Sequence, residues 1–131
     1  MYYHISENKK LKYLTPRIPE TALSQFEDIK KERICACDNI DGCLSAIMPC
    51  SSKKKKYYVY RLITNEKPYK PKIYELGDVK ETGEVWFFNK CEVELVKIIC
   101  NVKEVSVKKC KNYKHRSFHL HVYSYDDYIE K

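Results

Sequence analysis

The hydrophobic residues of this chain fall mainly in short segments rich in β-branched and aromatic side chains, which predicts strands. Tyr57–Ile63 is the clearest of these segments. A later one, Glu92–Cys100, alternates polar and apolar residues and slips in phase near Val96. The pattern predicts strands over residues 1–5, 33–37, 57–63, 84–88, 92–100, 102–107 and 118–125.

One segment follows a helical pattern instead. Apolar residues recur at the spacing of a single helix face at Ile40, Cys43, Leu44 and Ile47. Asp38 precedes them as a candidate N-cap, and Pro49 is expected to end the helix. Residues 20–32 are polar and predict a loop or a weak second helix.

Together these elements predict an α+β fold with a mostly antiparallel, split or strongly bent sheet and one or two short helices. A length of 131 residues suits one hydrophobic core, so a single domain over residues 1–131 is expected. Residues 64–83 contain two prolines and two of the three glycines, which predicts a long surface excursion. Excursions of that length in a small domain are usually functional.

The charge balance favours binding of small anions. There are 25 Lys and Arg residues against 18 Asp and Glu, a formal net charge of +7. The basic residues are spread along the sequence and are mostly lysines, whereas base readout and bidentate phosphate contacts depend on arginine. The charge therefore favours solubility and affinity for anions such as a dinucleotide, and nucleic-acid binding by a lysine-rich surface is kept as an alternative.

The cysteines predict an intracellular environment. The seven cysteines are odd in number, and several lie within apolar strand patterns such as Ile34–Cys37. We expect reduced, buried thiols in a cytoplasmic protein and no disulfide scaffold. No apolar stretch approaches the roughly 20 residues that span a bilayer, so no membrane partner is expected.

Glu84 is the candidate for catalysis. Strand alternation in residues 83–88 places Glu84 on one face with Trp86 and Phe88. A carboxylate beside aromatic rings suits binding of a flat cationic ring, and it stabilises an oxocarbenium-like sugar as that ring leaves. The simpler interpretation is a surface glutamate on an edge strand with Trp86 buried.

His4 and Ser6 are candidates for cofactor binding. They lie two residues apart on one face of the first predicted strand, and both side chains offer donors in reach of a ribose hydroxyl. The simpler interpretation of His4 is a partly buried histidine that is hydrogen-bonded to the backbone.

The histidines near the end of the chain invite a zinc interpretation. His115, His119 and His121 lie close to Cys110 in sequence. His119 and His121 would share one strand face, but the sequence does not define the fourth ligand and has no Cys-x-x-Cys pair, so no metal site is expected.

Taken in order, the segments resemble the small ADP-ribosyltransferase fold, and most closely the rifamycin-type ADP-ribosyltransferases and related phage-borne or mobile-element proteins. The resemblance spans about residues 2–107. It is carried by Tyr3-His4-Ile5-Ser6, by Ile34–Cys37 with the helix that follows, by Tyr57–Leu62, and by Gly83–Trp86 followed by Glu92–Ile99.

This resemblance implies an enzyme that binds NAD between the first strand and the Glu84 strand and transfers ADP-ribose to an unknown acceptor. His4 would contact the ribose of NAD and Ser6 would lie by the nicotinamide amide. Tyr58 or Tyr60, with Trp86, would flank the nicotinamide ring. Glu84 would be the carboxylate that favours cleavage of the C–N bond.

Two departures from the family pattern motivate an alternative. The family's glycine after the histidine is Ile5 here, and Glu84 lacks the Gln/Glu-x-Glu pattern of members that modify proteins. The alternative is a non-catalytic phage or mobile-element binding protein or inhibitor, which uses the same scaffold to bind a host protein or a nucleotide signal in host defence.

Overall fold

A computed structural model describes residues 1–19, 28–49, 52–72, 74–76, 82–109 and 119–129, with the side chains of residues 52–54 outside the description. The predicted loop or weak helix at residues 20–32 lies largely outside this range. Within it, no helix combines the length and apolar character required to cross a membrane.

The described residues form one antiparallel sheet with one helix. Its strands are β1 (Tyr3–Ser6), β2 (Tyr13–Leu14), β3 (Ile34–Cys37), β4 (Ser52–Ile63), β5 (Glu84–Phe87), β6 (Cys91–Lys109) and β7 (His119–Asp127). Their order is β2-β6-β4-β1-β3-β5, and β7 pairs with the C-terminal half of β6. The α+β class and the mostly antiparallel sheet are therefore confirmed.

Strand β6 is one continuous strand of 19 residues where two strands were predicted. Val59 of β4 pairs with Lys97 and Tyr60 pairs with Leu95, which leaves Val96 as an extra residue. This β-bulge confirms the predicted phase slip. Farther along, Asn101 adopts a left-handed conformation with φ of 53°, and β6 continues through it.

Strand β4 begins at Ser52, five residues before the predicted start. The lysine run at residues 53–56 therefore belongs to the strand. Lys56 pairs with Cys100 and Ser52 pairs with Val102, so the extra length of β6 supplies a partner for the lysine run.

Helix α1 (Ile40–Ile47) has the predicted bounds. Its N-cap is Asn39, whose side-chain oxygen accepts a hydrogen bond from the Gly42 N–H at 2.6 Å, so the proposed Asp38 cap was one residue too early. At the other end Met48 is left-handed, and its N–H donates to the Leu44 carbonyl, which ends the helix immediately before Pro49.

The two faces of the sheet carry separate hydrophobic clusters. On the face we call the helix face, α1 packs Cys43 and Leu44 against Ile5, Cys37 and further residues of the sheet. On the opposite face, here the crossover face, residues 7–12 lead from β1 toward β2. The Tyr60 hydroxyl holds this crossover by donating to the Asn8 carbonyl and accepting from the Leu11 N–H.

Gly42 sets the distance between α1 and the start of β5. A Cβ atom at this position would lie 2.2 Å from the Thr82 carbonyl oxygen, a backbone atom that cannot rotate away. We expect Gly42→Ala to lower the free energy of unfolding in urea by about 2–3 kcal/mol.

Gly83→Ala is the comparison variant. The φ of Gly83 is 71°, a conformation that is strained for alanine. A Cβ atom at this position would meet only the Asp38 side chain, at 3.4 Å. A smaller loss of about 1–2 kcal/mol is expected. A Gly42→Ala protein as stable as the wild type would contradict this packing of α1.

Candidate functional site

The pairing register places Glu84 and His4 on opposite faces of the sheet. Tyr3 is directly opposite Cys37, and Cys37 is directly opposite Glu84. Side chains of directly opposed residues share a face, so Tyr3 and Glu84 both project from the helix face. His4 is the next residue after Tyr3 and projects from the crossover face. The structure does not bring the two predicted site residues together.

Four of the residues predicted to bind the cofactor do share a face. His4 is opposite Tyr60 and Ser6 is opposite Tyr58, so all four side chains project from the crossover face. Tyr60 is only 1% exposed, and its hydroxyl already bonds the crossover backbone. His4, Ser6 and Tyr58 are half-buried.

His4 is held by a strand neighbour. Its Nδ1 lies 3.2 Å from the Cys35 carbonyl oxygen, in hydrogen-bond range. Burial lowers the pKa of His4, the bond to Cys35 partly offsets this, and the nearby charge of Arg17 lowers the pKa further. The neutral imidazole is thus favoured in the folded protein.

The Glu84 carboxylate bonds the indole of Trp86. Trp86 Nε1 donates to Glu84 Oε2 at 2.7 Å, and Glu84 is 7% exposed. The Glu84 N–H donates to the Thr82 hydroxyl at 3.3 Å. A buried carboxylate has to be hydrogen-bonded to be stable, and the indole N–H needs an acceptor when it is buried. The pair therefore satisfies two polar groups in the protein interior.

Trp86 is enclosed and has no exposed surface for stacking on a ligand. The Arg33 guanidinium carbon lies 4.0 Å from the centroid of the Trp86 ring. Tyr69 stacks near the same ring at 5.8 Å, and the backbones of Tyr69 and Trp86 exchange two hydrogen bonds of 2.8 Å. These contacts occupy the indole that, by the family resemblance, would flank a nicotinamide ring.

A buried carboxylate that the sequence did not reveal anchors the surface excursion. Glu75 accepts from the Tyr69 hydroxyl at 2.6 Å, from Lys31 Nζ at 2.7 Å and from the Lys72 N–H at 2.9 Å. Burial opposes ionisation of Glu75, but these donors outweigh it and lower its pKa. Only the length of the excursion pointed to this region, because its residues show no periodic pattern.

Arg33 joins the segment before β3 to Trp86 of β5. Arg33 Nη1 donates to the carbonyl oxygens of Asp28 and Lys31 at 2.7 and 3.0 Å. Arg33 is 1% exposed, and its buried charge is compensated by the Asp28 carboxylate, 3.6 Å from Arg33 Nη1, and by the face of Trp86. Arg33, Tyr69, Glu75, Glu84 and Trp86 form what we call the tryptophan cluster, which closes the β5 edge of the sheet.

Three of the five described cysteines, Cys37, Cys43 and Cys91, are buried thiols, and Cys35 and Cys100 are half-buried. The pKa of Cys37 is raised far above its usual range. A hydrogen bond with Cys43 is the largest cause, and burial is the second. Such a thiol is a poor nucleophile at neutral pH. Cys43 donates its own thiol hydrogen to the Tyr3 carbonyl.

The zinc candidates divide between described and undescribed parts of the chain. His121 Nδ1 pairs with Glu104, whereas Cys110 and His115 lie outside the described residues. Within the part that the structure describes, no three His, Cys, Asp or Glu side chains are grouped to hold a metal ion.

A concave surface lies elsewhere on the sheet. An open groove of about 440 Å³ runs along β6 and the chain after β7. It is lined by Leu95, Val96, Lys97, Ile98, Asp127, Tyr128 and Ile129. The groove contains none of the six residues that were predicted for catalysis or cofactor binding.

Trp86→Phe tests the tryptophan cluster. An aromatic ring is retained but the indole N–H is removed, which leaves the Glu84 carboxylate buried without that donor. We expect a loss of about 2–3 kcal/mol in urea unfolding. Glu84→Gln keeps an acceptor oxygen and should cost less. Equal stability of Trp86→Phe and the wild type would contradict the role assigned to this hydrogen bond.

His4 predicts a specific acid sensitivity. Because its pKa is lowered on folding, the unfolded chain takes up a proton below about pH 6.5 that the folded protein does not bind. The stability contributed by neutral His4 is therefore complete above that pH and decreases as the pH falls toward the folded-state pKa. When the free energy of unfolding is measured from pH 8 to 5, its dependence on pH should be weaker in His4→Gln than in the wild type. The control His119→Gln should not show this weakening. An unchanged slope in His4→Gln would refute the assignment.

Comparison with protein-family models, with curated proteins and with solved structures finds no match for this chain. The case for a function therefore rests on the placement of its side chains.

Proposed function

We propose that this protein is a non-catalytic binding protein that acts through surface contacts with a partner. The observation that carries the proposal is the register that separates Glu84 from His4. It favours the second of the two sequence hypotheses over an NAD-cleaving enzyme.

The separation matters because both groups must contact one ligand in the enzyme hypothesis. Cleavage of the nicotinamide bond needs a carboxylate at the sugar while another group holds the same dinucleotide. A dinucleotide bound at His4 would have to pass around the edge of the sheet formed by β5 to reach Glu84 on the other face. Tyr69 covers part of that edge by pairing with Trp86.

The contacts of Glu84 favour the same proposal. Its hydrogen bond to Trp86 gives the carboxylate a structural role, and the enclosed indole cannot stack on a ring without opening the tryptophan cluster. A catalytic group needs access to the reacting atoms, and Glu84 is only 7% exposed.

Incubation with NAD tests the proposal. We expect no release of nicotinamide above the buffer rate, measured by chromatography, because Glu84 and four of the five residues predicted to hold the cofactor lie on opposite faces of the sheet. Release that disappears in Glu84→Gln, but persists in the exposed-carboxylate control Glu92→Gln, would overturn it. The Glu84→Gln protein must first be shown to be folded by circular dichroism.

A second candidate function is binding of a nucleotide on the crossover face without turnover. It is favoured by the common face of His4, Ser6 and Tyr58, which leaves polar groups of three side chains side by side. Calorimetric titration with NAD should then show binding that is weakened by His4→Gln and by Ser6→Ala, but not by Ser124→Ala on β7. Absence of heat with the wild type would remove this candidate.

A further inference from the structure

The C-terminal half of β6 and its partner β7 extend beyond the rest of the sheet. The last pair between β4 and β6 joins Ser52 to Val102. From there, residues 103–109 of β6 pair with residues 119–124 of β7 as a two-stranded ribbon, which we call the arm. At roughly 3.3 Å per residue the arm is about 23 Å long.

The two faces of the arm have different surroundings. Tyr123 and Tyr125 pack against the cluster that contains Cys43 and Leu44 of α1, and the Ser45 hydroxyl donates to the His121 carbonyl. Alternation therefore turns the intervening residues of β7 away from the helix. We call this second surface the outer face of the arm.

The outer face is basic, and the next outward residue of β7, Asp126 at the base of the arm, accepts a hydrogen bond from Asn101. Its side chains come from three directly opposed pairs, Lys103 with Ser124, Ser106 with Val122, and Lys108 with Leu120. The two lysines and two serines are exposed, whereas Leu120 and Val122 are half-buried. The acidic residue of the arm, Glu104, projects from the helix side and pairs with His121.

Lys109 adds a third positive charge at the end of β6. It is exposed and lies opposite His119 on the helix side of the ribbon. The arm thus presents ammonium groups on both of its faces toward its far end. Its described residues carry three lysines against one glutamate.

We propose that the arm binds the phosphate backbone of double-stranded nucleic acid. This inference rests on the proposed function, because it names the class of partner that the binding protein contacts. A two-stranded β-ribbon has the width that the major groove of DNA admits. Lysine ammonium groups act as point charges toward phosphates, and serine hydroxyls are common donors to phosphate oxygens.

The side chains favour backbone contact over base readout. The lysines and serines of the outer face contact phosphates as point charges and hydroxyl donors, whereas bidentate base contacts come mainly from arginine, asparagine and glutamine. Binding without strong sequence preference is expected, with an affinity that depends steeply on salt because each neutralised phosphate releases counterions.

The test is fluorescence anisotropy with a labelled 20-base-pair DNA duplex of mixed sequence, titrated between 50 and 300 mM KCl. We expect the logarithm of the association constant to fall linearly with the logarithm of salt concentration. The triple variant Lys103→Gln, Lys108→Gln, Lys109→Gln should bind at least tenfold more weakly. The magnitude of the slope of that plot should also decrease by roughly 2–3, because each neutralised phosphate contributes about 0.9 to it.

The matched control removes the same charge elsewhere. Lys9, Lys10 and Lys12 are exposed and lie in the crossover, far along the sheet from the arm. Their triple change to glutamine should leave the slope unchanged. Thermal unfolding checks that each triple variant is folded.

Three results would overturn the inference. Duplex binding that is absent or insensitive to salt would contradict it, and so would equal weakening by the two triple variants. Binding to polyglutamate as tight as binding to the duplex would instead assign the arm to an acidic protein surface. None of these results bears on nicotinamide release, so the proposed function stands or falls separately.

Discussion

The register of three strands determines what the rest of this structure can do. Tyr3 opposes Cys37 and Cys37 opposes Glu84, so the faces of β1, β3 and β5 are fixed relative to one another. A shift of one residue in either pairing would move Glu84 to the same face as His4. The buried residues make such a shift costly, because Ile5 and Cys37 on one face and Ala36 and Val85 on the other would exchange their surroundings.

The tryptophan cluster follows from the same register. Cys35 opposes Trp86, which places the indole on the helix face and at the strand that Tyr69 covers. A buried glutamate, a buried arginine and an indole N–H would each be costly alone. Glu84 and the Trp86 indole bond one another, whereas Arg33 lies over the Trp86 ring and is held by the backbone and carboxylate of Asp28. The long excursion predicted to be functional is thereby anchored at Tyr69 and Glu75, and it covers the edge of β5.

The sequence predicted those elements whose structure depends on neighbouring residues alone, such as the apolar face of a helix. The spacing of Ile40 and Leu44 identified α1, and the phase slip at Val96 located the bulge in β6. What alternation cannot supply is the partner of each strand, so the faces from which His4 and Glu84 project had to come from long-range pairing. The lysines also appear evenly spread along the sequence, because local alternation does not give the partner of a strand. The pairing of β6 with β7 is what places Lys103 and Lys108 together on the outer face of the arm.

The most direct test of the account is nuclear Overhauser spectroscopy on isotope-labelled protein, read at His4 and Trp86. The register predicts contacts from the His4 ring to Tyr60 and Ala36, and from the Trp86 indole proton to the Glu84 methylenes and the Tyr69 ring. Contacts between the His4 ring and either Glu84 or Trp86 would place the two groups in one cleft and contradict the central claim.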